Sequence, residues 1–223
     1  MRIIRPQSSV KSFYDHVLKN QIPIEENLTG CITPDFQRIL DTYESEIGLR
    51  AIDLGYGYGN YSIALAQKGF KVTAVDYVAP DYFKERLQST AGKENITIIE
   101  RDLNLFEPKG EYDVVVCKDV FHFLRRSKVE ELLNVLIEKT NKKGWHYIVI
   151  FTDIWRKSND GNEIVIENEA RFTSDYLVDL VNYFYRNWKV NLKIEEYREK
   201  DRSGKEDSFY FKANRVTIMA NNI

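Results

Sequence analysis

The sequence is short of the residues that would mark a secreted or metal-held scaffold. Its 223 residues include only two cysteines, five prolines and three histidines. Cys31 and Cys117 lie far apart with no metal-ligand spacing. Cys117 ends an apolar strand pattern, so a buried reduced thiol is expected rather than a disulfide. No stretch approaches the ~20 apolar residues of a membrane span, and the opening MRIIRPQSSVKS has no hydrophobic signal core. A cytoplasmic protein with no membrane partner is the expectation. An excess of one charge is missing too. The 32 basic and 34 acidic residues give a formal net charge of -2, so no bulk field calls for nucleic acid as a partner. What is present is 43% hydrophobic and 13% aromatic, enough for one domain with a substantial core and a small appended cap.

The most informative stretch runs from Leu49 to Tyr77, LRAIDLGYGYGNYSIALAQKGFKVTAVDY. An apolar strand pattern carries one acid, Asp53. Gly55, Gly57 and Gly59 follow at every second position, then a helix-compatible run, a second apolar strand and a second acid, Asp76. A strand, glycine loop, helix, strand and acid in this order hold a nucleotide-like ligand. The dinucleotide spacing Gly-x-Gly-x-x-Gly does not fit. Its third glycine falls on Asn60 counting from Gly55, and on Ser62 counting from Gly57. Asp53 would also oppose a pyrophosphate, which wants bare backbone donors at a helix start. The same carboxylate favours a ligand that carries an ammonium and a sulfonium.

Around this unit, strands alternate with helices. Strands are predicted at about 50–54, 71–75, 96–100, 112–117 and 145–151, the last following a break at Gly144. Helices are predicted at 59–68, 80–91 and 127–140, the third opened by a capping box of Ser127 and Glu130. Continuously apolar strands such as VVV and YIVI suit a parallel sheet covered on both faces, and the alternation argues for a doubly wound α/β fold. Ahead of it, Val10–Leu18 forms a short helix. A second helix starts at Thr33-Pro34 and runs to about Ile47, ending at Gly48. Residues 1–48 thus read as a helical cap and 49–223 as the main domain. Residues 152–172 lack periodicity, a helix follows at 174–185, and two long strands, 190–197 and 209–219, form an antiparallel hairpin with a turn at Ser203-Gly204.

The motif Asp53, Gly55, Gly57, Gly59 resembles the Asp/Glu-x-Gly-x-Gly-x-Gly motif of class I S-adenosylmethionine-dependent methyltransferases, over residues 30–220. The resemblance implies a mostly parallel, seven-stranded Rossmann-like sheet in the order 3-2-1-4-5-7-6, with S-adenosylmethionine as cofactor and S-adenosylhomocysteine as product. It places Tyr56 where the family often has cysteine. It implies that Asp76 accepts from the ribose hydroxyls and that Tyr77 lies on the adenine. Asp102 would accept from the adenine amino group, with the Leu103 backbone against the ring. The backbone at Cys117 or Lys118 would meet the methionine end, and Phe121 and His122 would border the cleft. His122 reads equally as a packing histidine. His16 and His146 read as surface or core residues.

Beyond the cofactor half, the layout looks most like the tellurite-resistance, TehB-like branch and general small-molecule methyltransferases, on FTSDYL, YFYRNWKV and EEYRE. No Asn/Asp-Pro-Pro-Tyr/Phe element follows the fourth strand, which argues against methylation of nucleobases. Glu163, Glu167 and Glu169 lie in the wrong setting for the double-glutamate hairpin of arginine methyltransferases, and no catechol-type metal set is present. The expectation is a methyltransferase acting on a small molecule, with His122 or Asp119 as general base where the acceptor is protonated. Tyr14, Trp155, Arg156 and Phe172 would form a lid, Trp155 and Phe172 reading equally as packing on the sheet's edge. The other readings are a module that binds the cofactor without catalysis, and a nicotinamide-dependent oxidoreductase.

Overall fold

The computed structural model describes residues 1–20, 22, 31–44, 48–200 and 209–223. The central sheet is built on strands whose alternate side chains serve two separate cores. In β5 (Tyr112–Lys118), Val115 and Cys117 face one core while Val114 and Val116 face the other, as the two-residue period of a strand requires. The first core is closed by α5 (Arg126–Glu138) and α6 (Ser174–Phe184) through Leu132, Leu136, Leu177 and Val181. The second is closed by α2 (Pro34–Asp41) and α3 (Asn60–Gln67) through Phe36, Ile39, Tyr61 and Leu65.

Seven strands form this sheet: β2 (Arg50–Leu54), β3 (Lys71–Asp76), β4 (Ile96–Glu100), β5, β6 (Thr140–Arg156), β8 (Lys189–Lys200) and β9 (Phe209–Asn221). Their order across the sheet is β4-β3-β2-β5-β6-β9-β8. Every pair from β4 to β6 is parallel, and β9 lies antiparallel to both β6 and β8. The path therefore reverses beside β2, where successive connections leave to opposite sides. Such a reversal opens a crevice at the strands' carboxyl ends. No helix among the described residues is long and apolar enough to cross a membrane.

Several local expectations are corrected. Gly144 does not precede β6 but lies inside it. Helix α5 starts at Arg126 with Arg125 at its cap position and no side-chain cap bond. Ser127 therefore falls within the first turn, and Glu130 accepts instead from the Tyr176 hydroxyl at 2.7 Å. Thr33 does cap α2, accepting from Phe36 N at 3.3 Å, but the helix stops at Asp41, where the Thr42 hydroxyl bonds back to the Ile39 carbonyl. The rest of the predicted helix at residues 45–47, and the hairpin turn at Ser203-Gly204, lie outside the described residues.

The segment 152–172 is more ordered than its lack of periodicity suggests. Strand β6 continues to Arg156, and β7 (Glu163–Ile166) pairs in parallel with β1 (Arg2–Arg5). This two-stranded ribbon, with Arg2 on Glu163 at 3.0 Å, fixes the start of the chain beside the sheet. From there α1 (Ser8–Lys19) crosses the carboxyl ends of the strands.

Candidate functional site

Those carboxyl ends and α1 enclose a cavity of about 1290 Å³, the open space at its mouth included. The floor is the loop between β2 and α3. Gly57 has φ 48°, in the left-handed region, and a Cβ built on it would meet no atom within 4 Å. The open space is where a ligand can approach the backbone closely. Gly59 has φ 78° for a different reason: a Cβ there would overlap the Phe83 ring at 1.9 Å. One glycine makes room for a ligand and the other for packing.

Asp76 does more than end a strand. Its Oδ2 accepts from Gly57 N at 3.0 Å, and its Oδ1 accepts from Tyr77 N at 2.7 Å and Val78 N at 3.0 Å. The carboxylate thus braces the glycine loop. With about four lone-pair sites on a carboxylate, it keeps room for one further donor. Burial raises its pKa, against the pull of the three backbone donors. Asp53 is more deeply placed, taking a hydrogen bond from the Ser62 hydroxyl at 2.6 Å. Burial pushes its pKa up to about 7, helped by the charge of Asp76. A buried carboxyl in this state gains from a cation placed beside it.

The cavity wall includes Asp53, Gly55, Tyr56, Gly57, Asp76 and Tyr77 of the glycine unit, with Asp102 and Leu103 after β4. Asp102 caps a short turn, accepting from Asn104 N at 2.8 Å. Asn104 also lines the wall and went unnoticed in the sequence, as did Gln7, Tyr58, Tyr61 and Glu199. Tyr14 lies on the α1 wall, its ring 5.7 Å from that of Phe123. Three ties hold this helix and the residues flanking it over the cavity. Gln7 Nε2 donates to the Phe123 carbonyl at 2.6 Å, Asp15 accepts from Ala79 N at 2.8 Å, and the Tyr58 hydroxyl donates to the Ile22 carbonyl at 3.0 Å.

At the end of β5, Lys118 and Asp119 face the cavity while Cys117 and Phe121 do not; both are buried in the core. Burial holds the Cys117 thiol well above its ordinary pKa. Asp119 has φ 59°, a left-handed conformation uncommon outside glycine. Its Oδ2 pairs with Lys118 and lies 3.5 Å from Arg215. Its Oδ1 is buried with no hydrogen-bond partner among the described residues.

His122 is not at the cleft. It is buried behind Phe123 and Phe151, with ring centroids 4.0 and 5.2 Å away, and does not line the cavity. Burial and the nearby Arg156 charge hold its pKa well below the ordinary value. His146 is likewise buried, between Thr140 and Tyr185, and burial lowers its pKa to about 3. The lid expectation holds no better for three of its residues. Phe172 is buried in the core beneath α6, where its ring stacks on Tyr176. Arg156 is engaged by Glu169 through two bonds of 2.7 and 2.8 Å. Trp155 packs on Phe209 and is off the cavity wall.

The family model described as tellurite resistance protein TehB matches residues 31–215. A Haemophilus influenzae protein described as a probable S-adenosyl-L-methionine-dependent methyltransferase TehB is 28% identical over 160 residues, which are 70% of this chain and 52% of that protein. The chain thus spans about half the length of the curated relatives it matches. The crystal structure of TehB from Haemophilus influenzae superposes with a TM-score of 0.60 at 22% identity, covering 94% of this chain and 67% of that one. A Burkholderia thailandensis 1,6-didemethyltoxoflavin-N1-methyltransferase, solved with bound 1,6-didemethyltoxoflavin and S-adenosylhomocysteine, gives 0.62 at 14% identity, covering 97% and 86%. At these identities the solved structures speak for the fold.

Proposed function

The chain belongs to the TehB tellurite-resistance family, and on that premise we propose that it is an S-adenosylmethionine-dependent methyltransferase acting on a small-molecule acceptor. The observation that carries this reading is the combination at the glycine loop. Gly57 leaves open space for a ligand, and the buried carboxyl of Asp53 lies on the same wall. A pyrophosphate would meet like charge here; a ligand with a cationic tail meets opposite charge.

In this reading the donor supplies an activated methyl group on a sulfonium, and the chain supplies position and a dry cavity. Asp53 provides the negative charge for the methionine end, together with the backbone after β5. Asp76 takes a ribose hydroxyl with its remaining acceptor site while holding the loop. Tyr77 and Leu103 face the base, and Asp102 accepts from its amino group. Residues 1–48 act as the cap, with Tyr14 on the inner face of α1. In-line displacement then needs only an acceptor atom directed at the methyl carbon.

Titration calorimetry tests the reading. S-adenosylhomocysteine is expected to bind and NAD to leave no signal. Binding of NAD alone would replace it with an oxidoreductase. Release of S-adenosylhomocysteine on a panel of acceptors separates an enzyme from a module that only binds.

A further inference from the structure

The cap helix α1 carries two stripes of side chains that serve different neighbours. Val10, Tyr14 and Val17, spaced four and three residues apart, lie on the cavity wall. Lys11, Asp15 and Leu18 keep the same spacing one residue on and form the adjoining stripe. That second stripe lies over the donor half. Leu18 packs with Tyr58, Val78 and Ala79, and Lys11 Nζ stands 5.6 Å from the centroid of the Tyr77 ring. Between them Asp15 divides its carboxylate. Its Oδ1 accepts from Ala79 N at 2.8 Å, and its Oδ2 accepts from Lys11 Nζ at 2.7 Å. Asp15 and Lys11 are both off the cavity wall.

The bond to Ala79 completes a set. In the loop after β3, Asp76 takes the N–H groups of Tyr77 and Val78. The next N–H, that of Ala79, goes to a carboxylate from a different element. Ala79 has φ 38°, a left-handed conformation that is costly outside glycine and persists where the surroundings impose it. Two aspartates thus hold the loop that carries Tyr77, one from the end of β3 and one from the cap. Burial would raise the Asp15 pKa, but Lys11 and the Ala79 N–H hold it below the ordinary value.

Helix α1 has little of its own to keep it in place. It has 12 residues, no side-chain cap bond at Gln7 and no acid in its first turn. A helix of that length is marginal alone, and Lys before Asp is the less favourable order for a pair four residues apart. Its position therefore depends on ties to other elements. Gln7 on the Phe123 carbonyl, with β1 paired to β7, pins its start to the acceptor side. Asp15, with the Tyr58 hydroxyl on the Ile22 carbonyl, pins its end to the donor side.

We propose that Asp15 is a positioning residue for the methyl donor: its bond to Ala79 ties closure of α1 to the shape of the Asp76–Ala79 loop, so that donor and cap hold each other in place. This rests on the methyltransferase reading and adds a residue to it. The donor meets a loop already set, with the Tyr77 ring steadied by Lys11. The cap gains because a filled cavity gives Val10, Tyr14 and Val17 a surface to pack on. By linkage, whatever the donor adds to closure, closure adds to donor affinity. Loosening the cap weakens the apparent affinity in proportion to the fraction of chains left closed. Asp15 acts throughout by way of Tyr77 and α1.

The test uses the full chain with S-adenosylhomocysteine, read by calorimetry and by amide hydrogen exchange. In the wild type the ligand is expected to slow exchange in α1 and at Tyr77–Ala79 as well as in the glycine loop. Asp15→Ala is expected to bind ~tenfold more weakly or worse. At saturating ligand it should still show slowed exchange in the glycine loop, but none in α1. General damage to the fold would change all three segments together. Asp15→Asn keeps an acceptor for the Ala79 N–H and is expected to recover part of both effects. Lys11→Ala, which frees the Tyr77 ring, should bind ~2–5-fold more weakly. Wild-type affinity in Asp15→Ala, slowed exchange in its α1, or an Asp15→Asn protein no better than Asp15→Ala would overturn the proposal. So would a wild type whose α1 exchanges at the same rate with and without ligand. The wild-type and Lys11→Ala arms decide the matter even if Asp15→Ala does not fold. Failure of S-adenosylhomocysteine to bind the wild type at all would instead remove the methyltransferase reading.

Discussion

The two halves of the cavity are built on different physical terms. The half under the glycine loop is made by neighbours in sequence: Asp53, Gly55, Gly57 and Asp76 lie on two adjacent strands and one turn. Its hydrogen bonds are largely to backbone, and Asp76 ties β3 to the loop through Gly57. The opposite half is assembled from α1, the end of β5, β6 and the terminal hairpin, and is held by side chains: the Lys118–Asp119–Arg215 group and the Phe151–Phe211–Tyr197 cluster. A backbone-made half resists side-chain change and suits a constant ligand. A side-chain-made half is free to change with its substrate.

The largest expected effects lie behind the second half, in residues that support it without touching it. Phe172→Ala removes a fully buried ring and is expected to cost ~3–5 kcal/mol of stability in urea unfolding, with the KM for donor unchanged. Unaltered stability with altered kinetics would return Phe172 to a lid. Glu169→Ala leaves Arg156 charged and half-enclosed among aromatic rings, at a cost of ~3–5 kcal/mol. A double replacement of both partners by apolar residues should recover most of it.

Next in size is the first half itself. Asp76→Ala removes a charge-assisted acceptor and the brace on Gly57. It should weaken S-adenosylhomocysteine binding by ~1.5–3 kcal/mol by calorimetry; equal affinity would take Asp76 out of the site. Asp53 gives this half a pH dependence. Its pKa of about 7 in the free protein lies above the 3.8 of an ordinary aspartate, so the folded chain holds this proton more tightly than the unfolded one. The stability it confers is fully present below the ordinary value and is lost as pH rises through about 7. Binding runs the other way, since an ammonium prefers the ionised carboxyl. Affinity should rise with pH and level off above about 7, by no more than ~tenfold per pH unit. Asp53→Asn should flatten both curves, and an unchanged slope would assign the titration elsewhere. The smallest effect is expected at the cap: Tyr14→Ala loses an edge contact with Phe123 of ~0.5–1.5 kcal/mol, read as weaker ligand affinity at constant urea midpoint.

The same contrast explains what was legible in the sequence. The glycine unit could be read because its geometry is set by residues a few positions apart, and the mixed α/β character and closing hairpin followed from strand and helix periods. Asp76 as a loop brace was less visible, since a carboxylate's donors are backbone groups that any sequence supplies. For Phe172 and His122 the sequence left a cleft role and a packing role equally open, because burial depends on how residues 152–172 return to the sheet; both are packed in the core. That return is fixed by β7 pairing with β1, a contact across about 160 positions with no local signal. Glu130 shows the same limit on a smaller scale. Its spacing from Ser127 suits a capping box, but the Tyr176 hydroxyl from another helix claims it. Glu199 reaches the cavity from the far edge of the sheet, and nothing in its charged neighbourhood marks it.

We propose above all that Leu49–Tyr77 holds a nucleoside with a cationic tail. The most direct test is calorimetry of S-adenosylhomocysteine on the wild type and on Gly57→Val, whose side chain would occupy the open space above the loop. The wild type should bind in the micromolar range or tighter and the variant should not bind, the variant staying folded in the assay buffer while unfolding at lower urea, since valine at φ 48° costs ~1–3 kcal/mol. Equal affinity in the two proteins, or NAD binding in place of S-adenosylhomocysteine, would contradict it.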